Sequence, residues 1–186
     1  MEDAMNSRSA ALALAVTAAL VPAAASRAGD QMGHDPATPA VTPNPQLEKI
    51  KTLAGEWQGT ARGGGDAKGM PTVATIKVVS AGSAVMLVTD PGTPHEMVTM
   101  FHADDGSVLA THYCAAQNQP RMKATAASTP DRLTFEFVDG TNLKAHPGRM
   151  QRLVLAVPDG AHHTQEWLFL DAGKSSTMVF EMTRKN

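Results

Sequence analysis

From residue 56 to residue 183 the chain is a succession of short β-rich runs, each cut off by glycine, proline, aspartate or asparagine before it can lengthen. The runs are 56–61, 72–80, 84–89, 95–102, 107–115, 121–127, 132–138, 150–157, 164–171 and 175–183. The breaks include Gly63-Gly64-Gly65, Ala81-Gly82, Pro91-Gly92, Asp104-Asp105-Gly106, Asn118-Gln119-Pro120, Asp139-Gly140, Pro158-Asp159-Gly160 and Ala172-Gly173. Such residues make turns because glycine reaches positive φ, proline fixes φ, and Asx side chains bond the local backbone. No helical pattern separates the runs, which excludes a parallel α/β sheet. Hairpin-length connections predict that consecutive strands pair antiparallel. A sheet this long exposes two edges unless it closes on itself. The expected fold is all-β: an up-and-down antiparallel β-barrel of about 8–10 strands, wide enough to be filled by side chains or to hold one small ligand. A two-sheet sandwich is the competing arrangement.

One short helix is expected ahead of the barrel. Asn44 can cap it, Pro45 suits the first helical position, and Gly55 can end it. Leu47, Ile50 and Leu53 fall on one face, so the helix should lie flat on an apolar surface. In the run 95–102, Met97, Thr99 and Phe101 share one face while Val98 and Met100 share the other. Both faces are partly apolar, as a small barrel with an apolar cavity inside and a covered patch outside requires.

Residues 10–25 are apolar and uncharged, with the length of a signal-peptide core, and Arg8 supplies a basic flank. Glu2 and Asp3 sit poorly in that flank and point to Met5 as the start. Cleavage after Ala25 or Ala28 would place the mature N-terminus at Ser26 or Gly29. Residues 1–28 are therefore expected to be a signal peptide and the protein periplasmic or secreted, with no integral membrane span once the signal is removed. Residues 29–45 carry Pro36, Pro39, Pro43 and Pro45 and few large apolar groups, and read as a disordered linker. The barrel domain is expected over 46–186.

Composition narrows the function classes. Lys+Arg number 16 against 18 Asp+Glu, with no basic cluster, which argues against a nucleic-acid partner. The single cysteine excludes an intramolecular disulfide and any CxxC metal or redox pair. Aromatic residues are only 4%, so the 11 methionines, with alanine and valine, must fill much of the interior. The sequence sets no oligomeric state.

Gly55-Glu56-Trp57 stands where the helix meets the first strand, and the last strand ends in Met182-Thr183-Arg184. This pairing resembles the lipocalin-like, or calycin, superfamily, which implies a tryptophan at the barrel floor with a terminal basic residue across its indole. The segments His95-Glu96-Met97-Val98-Thr99-Met100 and Thr111-His112-Tyr113-Cys114-Ala115-Ala116, followed by Asn118-Gln119-Pro120-Arg121-Met122, resemble an uncharacterised family of bacterial exported proteins with a calycin-type barrel. That resemblance spans about residues 47–184 and implies no reaction. Gly55, Trp57 and Gly59 also match the Gly-x-Trp-x-Gly opening of the nitrobindin-like haem barrels, without the rest of their pattern.

Several groups could carry chemistry. His112 and Cys114 share one strand face, with Thr111 and Tyr113 on the other. A buried free thiol beside a hydrogen-bonded imidazole is the expected state, because strand neighbours two apart are too distant for a nucleophile pair. Pro120 is expected to fix a turn that Asn118 caps. Arg121 could clamp an anion, or bond turn carbonyls or Glu96. His162 and His163 follow Pro158-Asp159-Gly160 and are expected in an exposed turn. No zinc-type spacing, nucleophile elbow or phosphate loop is present.

The expected function is non-catalytic binding of a small, mostly apolar molecule by an exported barrel. Methionine-rich strands (Met86, Met97, Met100, Met122, Met150) suit an adaptable pocket. The expected ligand-binding residues are His112, Arg121, Glu96, Tyr113, Met97, Phe101, Cys114 and Asn118, with His112 as polar anchor and Arg121 second. No cofactor and no metal ligand set is expected. The alternatives are an enzyme using His112, Tyr113, Glu96 and Arg121 for acid–base work at a barrel mouth, and a haem or metal barrel using one of the histidines.

Overall fold

The computed structural model describes residues 43–63 and 68–186. The expected signal peptide lies outside the described residues, as does the expected linker up to residue 42. Helix α1 (Pro45–Lys51) precedes ten strands: β1 (Gly55–Gly63), β2 (Met70–Val79), β3 (Ala84–Thr89), β4 (Met97–Asp104), β5 (Ser107–Tyr113), β6 (Gln119–Ala124), β7 (Arg132–Thr141), β8 (Arg149–Ala156), β9 (His162–Asp171) and β10 (Lys174–Arg184). Each strand pairs antiparallel with its neighbour in sequence, and β1 also pairs with β10 to close the barrel. The all-β, up-and-down expectation holds and the sandwich is excluded, because closure satisfies both sheet edges.

Some strand starts fall off the expected positions for local reasons. β4 begins at Met97, since the Glu96 carboxylate accepts from the Gly92 amide and keeps His95 and Glu96 in the preceding turn. Pro120 is buried within β6 and does not fix a turn. Asn118 does not cap its own turn either: its side-chain amide donates to the carbonyls of His146 and Gly148, tying the β5–β6 loop to the β7–β8 loop.

Helix α1 covers one end of the barrel. The Asn44 side chain accepts from the amides of Gln46 and Leu47, and its own amide donates to the Ser107 carbonyl at the start of β5. Leu47, Ile50 and Leu53 are buried beneath the helix and join one core with Trp57, Val85, Phe101, Val108, Leu133, Phe135 and Val157. This end is the floor. Trp57 is fully buried and its indole N–H donates to the Leu53 carbonyl. The Arg184 guanidinium lies 4.3 Å from the indole centroid, as the resemblance implied. It also donates to the carbonyls of Thr52, Ala54 and Gly160, and so rivets the helix exit and the β8–β9 turn to the last strand.

The Gly-x-Trp-x-Gly spacing now has a steric cause. Gly55 has φ +143°, and a Cβ there would meet the Arg184 guanidinium. A Cβ on Gly59 would run into the Glu181 carbonyl of β10. One glycine leaves room for the floor arginine, and the other lets β1 and β10 close the barrel.

Candidate ligand site

At the end away from α1 the described residues leave the barrel open. Strands β1 and β2 meet there near Gly63 and Met70, β3 and β4 between Thr89 and Met97, β8 and β9 near Met150 and Phe169, and β9 and β10 at Asp171 and Lys174. Side chains on alternate positions point inward. On β4 these are Met97, Thr99 and Phe101; on β5 they are Val108, Ala110 and His112; on β9 they are His163, Gln165 and Trp167. Reading from mouth to floor, methionine gives way to imidazole and threonine, and then to the packed aromatic floor.

His112 sits below the mouth. Strand register sets Thr99 directly opposite it, and the Thr99 hydroxyl bonds His112 Nδ1 at 2.9 Å. The ring lies 4.7 Å from that of Trp167, whose indole N–H donates to Gln165 Oε1. His112 is only 2% exposed, and its Nε2 is buried with no hydrogen-bond partner. Burial pushes its pKa down to about 4, so the ring is neutral at pH 7. A cavity of about 80 Å³ adjoins it, walled by Thr89, Met97, Met150, Trp167, Met178 and Phe180. Two wider hollows share those walls. One, of about 350 Å³, reaches Met70, Pro71, Asp90, Thr93 and His95; the other, of about 270 Å³, reaches Gly63, Phe169 and Ser176. Two surface grooves of about 500 and 540 Å³ flank α1.

The structure brings His112 and Met97 together in the cavity wall and disperses the other sequence candidates. Arg121 points outward from β6 and forms a bidentate ion pair with Asp139, so neither the anion-clamp expectation nor a Glu96 partner fits its geometry. Its placement follows from strand alternation, with Pro120 and Met122 taking the buried positions on either side. Tyr113 is half exposed on the outer face. Glu96 stays in the exposed turn. Phe101 packs on Phe135 in the floor half of the core. Cys114 is partly buried just past β5, where burial raises its thiol pKa and leaves it un-ionised. The Asn118 side-chain amide nitrogen is committed to the loop tie, and its Oδ1 is buried without a partner. The four groups of the acid–base alternative therefore do not converge. Met86 and Met100 face each other across β3 and β4 on the opposite side from the inward residues, and Met122 is core.

His163 corrects the expectation of an exposed turn. β9 starts at His162, which remains exposed on Asp159, while His163 is fully buried, edge-on to Trp57 at 4.3 Å. Its Nε2 bonds the Gln165 amide nitrogen, and its pKa is pushed down to about 4 by burial and then by the Arg184 charge. The signal for this was the alternation His163, Gln165, Trp167 against Thr164 and Glu166, with Pro158-Asp159-Gly160 alone making the turn. Among the described residues no group of three His, Cys, Asp or Glu side chains could hold a metal ion. No helix among the described residues is long and apolar enough to cross a membrane.

Fold and site together define a closed ten-stranded up-and-down antiparallel barrel, floored by a tryptophan–arginine pair and, among the described residues, hollow at its other end. No family model matches the chain, and no curated protein matches it. Among solved structures, the crystal structure of Rv2717c from M. tuberculosis is similar, with a TM-score of 0.55 at 14% identity, over 76% of this chain and 98% of that one. That likeness concerns the fold alone.

Proposed function

We propose that the barrel is a non-catalytic binding module for one small, mostly apolar molecule, which enters between Met97, Met150 and Met178 and ends against His112. The observation carrying this reading is the unpartnered, buried Nε2 of His112 beside a cavity whose other walls are methionine, aromatic rings and Thr89. An apolar pocket with one convergent polar group is the usual form of a small-molecule site, and methionine adapts to varied shapes. Residues 1–28 support placing this module outside the cytoplasm, which N-terminal sequencing of exported protein would check. The cavity of about 80 Å³ beside His112 is by itself smaller than a porphyrin, so a haem ligated by His112 would need the adjoining hollows as well.

Nile red, a neutral apolar dye, tests the binding reading. Its fluorescence should rise saturably at one dye per chain. The rise should disappear in Met97→Asp/Met178→Asp, provided that variant keeps the wild-type circular dichroism. A wild-type protein that leaves the dye unaltered refutes the reading.

A further inference from the structure

We infer that the ligand of the inner cavity is an uncharged, hydroxyl-headed molecule of the alcohol or phenol class, its hydroxyl bonded to His112 Nε2 and its apolar body running out past the methionines. This deepens the reading above and rests on it.

Three observations converge. First, Thr99 binds His112 through Nδ1 and leaves Nε2, 98% buried with its ring, as the unfilled valence. An unpaired buried polar atom favours any ligand group that completes it. Second, the Thr99 contact does not fix the tautomer. If the hydroxyl donates to Nδ1, Nε2 carries the proton; if Nδ1 donates, Nε2 accepts. A ligand hydroxyl answers either state because it both donates and accepts, whereas a carboxylate only accepts. Third, the described residues of the inner wall include no lysine or arginine, so an anionic head would be buried there without a counter-charge. The outer hollow adds a carboxylate of its own: Asp90, which accepts from the Thr72 hydroxyl and the Val73 amide. Among the described residues lining it, the only other titratable group is His95, exposed at the rim.

The experiment is competition against Nile red with 1-octanol and with octanoate at pH 8, above the ordinary imidazole range. Octanol should displace the dye at a concentration on the order of a hundredfold below octanoate. Because any apolar site disfavours an anion to some degree, variants isolate the head-group contact. In His112→Leu the octanol affinity should fall about tenfold relative to that of Nile red for the same variant, and His112→Gln should restore most of it. Equal displacement by octanoate, displacement by neither, or an unchanged octanol affinity in a folded His112→Leu overturns the hydroxyl assignment and leaves the apolar-binding reading standing. Failure of Nile red itself to bind overturns the reading beneath both. If His112→Leu does not fold, the wild-type octanol–octanoate ratio decides: a ratio below about tenfold, the size of one good hydrogen bond, refutes the assignment.

Discussion

Arg184 should carry more stability than any other surface-reaching side chain in this barrel. Its guanidinium makes hydrogen bonds of 2.6, 2.7 and 2.8 Å to the carbonyls of Gly160, Ala54 and Thr52, and stacks over Trp57. Hydrogen bonds to a charged donor are worth about 1.5–3 kcal/mol each when buried. These are partly solvated, and the three share one rigid fork, so the low end applies and the sum is not additive. The cation–π contact adds about 0.5–1 kcal/mol. Arg184→Met keeps an apolar stem over the indole and removes the rest, for an expected loss of about 3 kcal/mol. At about 3 °C per kcal/mol for a domain of this size, Tm should fall by about 9 °C. Arg184→Lys keeps the charge but cannot reach three divergent carbonyls, and should recover less than half of the loss. Urea unfolding followed by tryptophan fluorescence measures both, with an unchanged m-value as the check that only stability moved. A loss below about 1 kcal/mol in Arg184→Met, or full recovery by lysine, would show that the floor is held by the Trp57 packing alone.

Three further outcomes follow from the geometry. His112 and His163 have native pKa values of about 4, below the ordinary unfolded value near 6.5, so the unfolded chain binds protons first as pH falls. Stability should be flat above pH 7 and drop between about pH 6.5 and pH 4, by up to about 1.4 kcal/mol per pH unit for each histidine; urea midpoints at pH 7, 6 and 5 test this, and His163→Gln should reduce the slope. Gly59→Ala forces a Cβ onto the Glu181 carbonyl across the closing β1–β10 seam and should cost about 1–3 kcal/mol, read as a lower Tm; an unchanged Tm would show that the seam can yield. Arg121→Ala breaks only an outward ion pair with Asp139, so it should leave Nile red binding as in wild type and thermal stability nearly unaltered.

The order of strands and the closed sheet were legible in the chain because turn chemistry and chain connectivity are local. Gly, Pro, Asp and Asn mark each reversal, and a meander of ten strands has few ways to hide its edges. The short helix was legible for the same reason, with cap, proline and apolar stripe adjacent in sequence. The floor was expected only through the family resemblance that Gly55, Trp57 and Arg184 carry, and its steric logic lies between β1 and β10, whose ends meet only on closure. The site depended more on tertiary structure. His112 could be singled out from its neighbours, but Arg121 and Tyr113 stood as close to it in sequence and fell on the outer wall. Alternation tells which residues share a face and cannot tell which face is inside. His163 shows the same limit: one residue decides whether a histidine after a turn is solvated, as His162 is, or sealed against Trp57. Met178 and Phe180 on β10 reach the cavity of His112 on β5 because the barrel wraps around, and no spacing along the chain encodes that distance.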